Sequence, residues 1–293
     1  MQNPPAGLLR KRVRFFRRRA VRIGAAIFIF TAFIIGTCAL GQSRRRRGEP
    51  VFDRGNVPEW QLETQFQRDC FTFVRIRYRS TRPYDTSYAW WTDYPDADVN
   101  FSWRLHQMTS LKVDPNGKVI ELTDKELFRY PFIFMSGVPA IVISDEEVAA
   151  LRRYLLTGGF LMVDDFWGEA NWDYFNEEVL RRVFPERQAF ELPLSHEIFH
   201  CVFEVKEKPQ IPSVFFALRH RDTGRTWEAE DGQTPHYRGI TDDKGRLMML
   251  ICHNTDLGDG WEEEATDPYY FAEFSEKKAY PLGINIVVYV MTH

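Results

Sequence analysis

The chain has 293 residues, of which 44% are hydrophobic and 27% charged. That is ordinary globular usage with room for about two domains, so it excludes a mainly disordered chain, a collagen-like repeat and a polytopic membrane protein; four cysteines exclude a disulfide-dense miniprotein. Of 38 basic and 41 acidic residues, twelve basic ones and a single acid, Glu49, precede residue 51, which leaves 26 basic against 40 acidic in the rest. An acidic body argues against nucleic acid as a partner.

Residues 1–22 form a basic segment. Residues 23–40 (IGAAIFIFTAFIIGTCAL) carry no charge over 18 positions, near the lower limit for a transmembrane helix. Eight basic residues precede this stretch, and the excess on that side predicts a single-pass protein of the inner (plasma) membrane, N-terminus inside and everything after Leu40 extracytoplasmic. Arg44–Arg47 oppose that orientation. A cleaved signal peptide, with small residues Thr37 and Ala39 at a suitable spacing, shares the topology. So does a lipoprotein signal ending at Cys38, although Thr37 is a poor residue before a lipidated cysteine. A buried core helix is the remaining alternative, but arginines rarely flank one on both sides. Residues 41–65, polar and Arg-rich, read as a linker or juxtamembrane segment whose arginines lie against anionic headgroups or are simply solvated.

From 66 to 293 the pattern is that of one α/β domain. Phe71–Tyr78 alternates with period two and predicts a strand. Asp98–Ser110 predicts an amphipathic helix, with Asp98 as N-cap. Val119–Leu122 is a short strand and Lys125–Arg129 a helical turn. Phe132–Met135 is a buried strand closed by Ser136-Gly137. Ser144 to Glu147 opens a helix with a capping box and an apolar stripe of Val148, Leu151, Tyr154 and Leu155. Gly158-Gly159 ends that helix. Phe160–Val163 is another buried strand, followed by Asp164-Asp165, and a helix starts at Asn171. Leu247–Cys252 is a strand; Gly283–Met291 is apolar throughout and reads as a closing helix or a last strand, with a helix over Ala279–Met291 favoured because it lies next to the chain end. Alternating elements with near-continuous apolar strands predict a mostly parallel sheet covered on both faces.

The ordered series Trp90-Trp91-Thr92-Asp93, Pro95-Asp96-Ala97-Asp98, Leu122-Thr123-Asp124, Tyr130-Pro131-Phe132, Gly158-Gly159-Phe160-Leu161 with Asp164-Asp165-Phe166-Trp167-Gly168, and Ser195-His196 with Ile198-Phe199-His200 resembles the bacterial domain of unknown function 4159 family. The resemblance covers about Phe71–His293. It implies a three-layer, flavodoxin-like fold similar to class I glutamine amidotransferases. It also implies a membrane-associated setting in the cell envelope with protein partners, often ATPases and von Willebrand-type proteins. It implies no established activity and leaves any cofactor unknown. Glu197 is a departure, since such segments often carry proline after the histidine.

Ligands of open α/β sheets sit beyond the carboxyl ends of the strands. That rule selects Ser136, Asp164, Asp165, His253 and Asn254, and the loop after the first strand adds Tyr84, Asp85, Trp90, Trp91, Asp93, Asp96 and Asp98. An amidotransferase-like hydrolase needs a cysteine on the strand-to-helix turn, but Val163-Asp164-Asp165-Phe166-Trp167-Gly168 has neither cysteine nor serine. Cys201 and Cys252 lie in apolar stretches as core thiols.

A metal-dependent or acid–base hydrolase would draw on Asp164 and Asp165 as general base or oxygen ligands, with His196 and His200 as metal ligands. His196-Glu197-Ile198-Phe199-His200 meets HExxH spacing, yet that motif requires a continuous helix, and Pro193 leaves space for barely one turn. A third reading is a binding or scaffolding domain without catalysis. Trp90, Trp91, Trp167 and Trp172 would stack on a ligand or cover the sheet edge as core. Asp93, Ser136 and His253 would contribute polar contacts. Asp93, Asp96 and Asp98 would hold calcium or form a solvated acidic loop. The sequence favours a non-catalytic binding or assembly role in an envelope complex, with the hydrolase as alternative.

Overall fold

The computed structural model describes residues 52–62, 70–82 and 89–293. The apolar stretch 23–40, Cys38, Tyr84 and Asp85 lie outside them, and no helix among the described residues is long and apolar enough to cross a membrane. In chain order the strands are β1 (Cys70–Phe71), β2 (Val74–Ile76), β3 (Arg79–Ser80), β4 (Lys112–Val113), β5 (Lys118–Ile120), β6 (Phe132–Met135), β7 (Ile141–Val142), β8 (Phe160–Val163), β9 (Phe190–Glu191), β10 (His236–Thr241) and β11 (Leu247–His253). The longer helices are α1 (Asp96–Met108), α2 (Asp145–Leu156), α3 (Glu169–Phe175), α4 (Val214–Arg219), α5 (Leu257–Glu262) and α6 (Tyr280–Thr292).

The central sheet runs β5-β2-β6-β8-β11-β10-β9. Its first five strands are parallel; β10 turns back along β11 and β9 lies antiparallel to β10. The chain is therefore a mixed α/β protein with a mostly parallel sheet.

The apolar runs explain the layering. Successive strand residues face opposite sides. Phe132, Phe134, Phe160 and Met162 enter one core with Phe101 of α1, Trp261 of α5 and Ile284 of α6. Ile133, Met135, Leu161 and Val163 enter a second core with Leu151 and Leu155 of α2 and with Val179 and Val183. Both faces need apolar residues, so these strands show no polar alternation. The capping box of α2 forms as its sequence predicts: Glu147 N donates to Ser144 Oγ at 3.2 Å and Ser144 N to Glu147 Oε2 at 2.7 Å.

Several expectations need adjusting. The strand expected over Phe71–Tyr78 is broken into β1, β2 and β3, because each piece pairs with a different neighbour (β4, then β5 and β6, then β7). Inward residues shift accordingly from Phe71 and Phe73 in one core to Val74 and Ile76 in the other. The first helix begins at Asp96, after Pro95. Asp98 is not its cap, since a buried guanidinium claims it instead: Arg75 of β2 donates to Asp98 Oδ1 at 2.5 Å, with both side chains almost fully buried. The helix expected from Asn171 starts at Glu169. The closing helix is present as α6, reached through a π-helical stretch, Phe271–Ala279. Trp60 stacks on His106 at 4.6 Å and donates to the Val113 carbonyl at 2.8 Å, so part of the stretch read as linker lies against the domain.

Candidate functional site

Parallel strands deliver their carboxyl ends to one edge of the sheet, and that edge collects acids. Asp164 and Asp165 follow β8, Asp256 lies just beyond β11, and Asp259 and Glu262 ride on α5. Asp93 arrives on the loop before α1. Arg75 secures that loop: Nη1 donates to the carbonyls of Thr92 (2.6 Å) and Trp90 (3.2 Å), while Nε and Nη2 bind Asp98. Gly137, at φ 64°, allows a close approach after β6, since a Cβ there would fall 2.8 Å from both the Ala89 carbonyl oxygen and Thr92 Oγ1. Among the described residues three non-glycine positions adopt positive φ, and they lie at this edge: Asp93 (62°), Asp165 (58°) and Asn254 (60°).

The carboxylates form two overlapping triads. In Asp93, Asp259 and Glu262, and again in Asp93, Asp165 and Asp256, one oxygen from each residue lies within 4.8 Å of the others. Two oxygens on opposite sides of a calcium ion, each about 2.4 Å from it, stand about 4.8 Å apart, so each triad fits around one hard cation. Asp93 belongs to both. Its Oδ2 accepts a hydrogen bond from Ser136 Oγ at 3.2 Å. A Cβ on Gly258 would fall onto that same oxygen, so glycine is needed where α5 passes the triads. Gly258 N also donates to Asp164 Oδ2 at 2.8 Å, while Asp164 Oδ1 is buried with no hydrogen-bond partner among the described residues. Asp164 is fully buried, yet its free oxygen stands outside both triads.

Burial raises the pKa values of the carboxyl groups here, and the acids reinforce one another. Burial pushes Asp93 up to about 6, with Arg75 opposing. It pushes Asp164 and Glu262 each up to about 8, with Asp93 adding to both. Asp165, Asp256 and Asp259 are raised well above the usual carboxylate range for the same two reasons. So much negative charge with one guanidinium nearby, itself bonded to Asp98, calls for protons or cations. Oxygen-only donors select hard ions such as Mg²⁺, Ca²⁺ or Mn²⁺ over zinc.

The other sequence candidates are placed as follows. Ser136 supports Asp93. Trp90 is buried beneath the Arg77 guanidinium (5.2 Å), and Trp91 packs edge-on against it at 5.7 Å. Trp167 is half-buried and its carbonyl accepts from Asn171. Trp172 lies under Arg238 at 3.9 Å. His253 is buried and stacked against Phe166, Trp172 and His236. Its Nδ1 accepts from Arg238 Nη1 (2.9 Å) and its Nε2 donates to the Gly168 carbonyl (3.0 Å). Arginine only donates and a carbonyl only accepts, so the tautomer is fixed. Burial pushes this imidazole down to about 4. His253 also falls within ligand distance of Glu169 and His236, but both its ring nitrogens are already engaged.

His196 and His200 do not join Asp164 and Asp165. Glu197–Phe199 is one 3₁₀ turn, with His196 Nδ1 accepting from Ile198 N at 3.2 Å. His196 packs on Tyr289 at 5.7 Å, and Tyr289 lies beside the backbone of Leu247, the first residue of β11. That is the opposite end of the strand from Asp256. His200 is held by the Leu194 carbonyl (2.5 Å) and Glu204 (3.0 Å). The HExxH spacing therefore lacks the continuous helix that would bring its two imidazoles together.

Sequence reasoning passed over Asp256, Asp259 and Glu262. The available signal was the rule that selected His253 and Asn254, carried a few residues further along the chain. The sequence signature of the family described as domain of unknown function (DUF4159) matches residues 72–291. No curated protein matches the chain.

Proposed function

The chain belongs to the DUF4159 family, and we propose that its α/β domain is a binding module that takes a hard divalent cation at the carboxyl edge of the sheet. The observation that carries this reading is the convergence of Asp93, Asp165, Asp256, Asp259 and Glu262 in two triads that share Asp93, with the fully buried Asp164 nearby. The uncharged stretch 23–40, with its basic lead, supports a membrane-anchored, extracytoplasmic placement. In that setting the domain serves an envelope complex as a ligand-binding or assembly component. The reading of the fold as flavodoxin-like, similar to class I glutamine amidotransferases, is supported by the parallel strand order. Asp165, at φ 58° in the turn between β8 and α3, then stands where those enzymes carry their cysteine, which favours binding over amide hydrolysis. The hydrolase alternative keeps Asp164 and Asp165 but loses His196 and His200.

Calorimetric titration of the full-length chain in a non-ionic detergent with Mg²⁺, Ca²⁺ and Mn²⁺ tests the cation. Saturable binding that Asp165→Asn weakens at least tenfold is expected. Absence of binding by all three ions overturns the proposal.

A further inference from the structure

We infer that the site holds two divalent cations bridged by the Asp93 carboxylate, an inference that rests on the cation-binding reading and extends it. Three observations carry it. First, Asp93 is the one residue common to both triads, with Asp259 and Glu262 on one side and Asp165 and Asp256 on the other. A carboxylate has two oxygens with about four lone-pair directions, so one carboxylate serves two ions, which then sit roughly 3.5–4 Å apart.

Second, a single ion leaves too much charge uncompensated. The two triads and Asp164 together place six carboxylates at one edge, and the guanidinium acting on Asp93 is already bonded to Asp98 and two carbonyls. With all six ionised, one divalent ion leaves four negative charges, which protons would have to offset, and a second ion halves them.

Third, Asp164 Oδ1 is an unpartnered oxygen on a fully buried side chain outside both triads. Its Oδ2 is fixed by Gly258 N, and Gly258 lies against Asp93 Oδ2 and Asp256 Oδ1. The free oxygen is thus held beside the bridging residue, where it can accept from an ion-bound water.

The residual charge also constrains the ligand. Two ions in this set of acids remain net negative, so groups replacing their waters are neutral oxygen donors such as hydroxyls or carbonyls.

Mn²⁺ titration of the full-length chain in non-ionic detergent, followed by electron paramagnetic resonance, tests the bridge. The expected result is two ions per chain with a spin-coupled spectrum. Asp259→Asn, or Glu262→Gln on the half-buried rim if the first variant does not fold, is expected to lower the count to one and remove the coupling. Failure to bind Mn²⁺ at all overturns both the cation reading and the bridge. One ion per chain, or two without coupling, overturns the bridge alone.

Discussion

Two arrangements of buried acid lie close together in this protein and differ in one respect. Asp98, on the first turn of α1, is fully buried and meets Arg75 through two guanidinium nitrogens. Asp93, five residues earlier, is also buried, but shares its surroundings with Asp164, Asp165, Asp256, Asp259 and Glu262. The first pair is complete within the chain. The second group is incomplete, and its incompleteness lies at the edge where α/β sheets bind ligands. A buried charge with its counter-charge supplied by the chain reports on architecture; one without it reports on something the chain receives.

The largest test breaks the complete pair. Arg75→Met leaves Asp98 buried and unpaired and is expected to cost about 3–5 kcal/mol of stability, read by chemical denaturation. It also frees the Trp90–Thr92 carbonyls, so cation affinity falls with it. Asp164→Asn acts in the opposite direction on the incomplete group. In the cation-free chain at pH 8 it is expected to raise stability by roughly 1–3 kcal/mol, since a buried carboxylate bonded through only one of its oxygens is made neutral. With a cation present the gain shrinks, because the variant binds the ion more weakly.

The third test is pH. Asp164 and Glu262 are each pushed up to about 8 by burial, so the cation-free fold keeps protons that the unfolded chain releases near pH 4. A carboxyl raised in this way favours the fold at low pH, and that contribution is lost as pH climbs through the folded value. Burial pushes His253 down to about 4, which works in the opposite direction but is complete by about pH 6.5. Between pH 6.5 and 8.5 the cation-free chain therefore loses stability, and saturating Ca²⁺ or Mn²⁺ flattens the profile; thermal melts at both pH values check this. The smallest effect is at the other end of β11. His200→Ala removes contacts on a partly exposed turn and is expected to change stability by about 0.5 kcal/mol or less, with calorimetric cation affinity unchanged.

The strands that build the edge were legible because β6 and β8 are apolar at every position, a pattern that only a doubly covered sheet requires. Asp164 and Asp165 were legible for the same reason, standing directly after such a run. Asp93 was visible only as one acid of a loop, since nothing local records that Ser136 and Gly258 will meet it. Asp259 and Glu262 resemble solvated helix acids until β11 is placed beside β8. Asp98 misled because a cap and a buried ion-pair partner carry the same residue type, and the deciding residue, Arg75, is 23 positions away. The histidines at 196 and 200 misled because spacing is local, whereas a helix long enough to use it is not.

The left-handed backbone at Asp93, Asp165 and Asn254 has an evolutionary consequence. Such a conformation costs an ordinary L-residue about 1–2 kcal/mol, is better tolerated by Asp and Asn, and is nearly free for glycine. A lineage selected for robustness alone would drift toward glycine at these three positions and gain heat tolerance. Keeping two carboxylates and an amide there leaves the domain more fragile than its fold requires, and this fragility is a mark of function that can be sought in relatives by counting how often glycine replaces them.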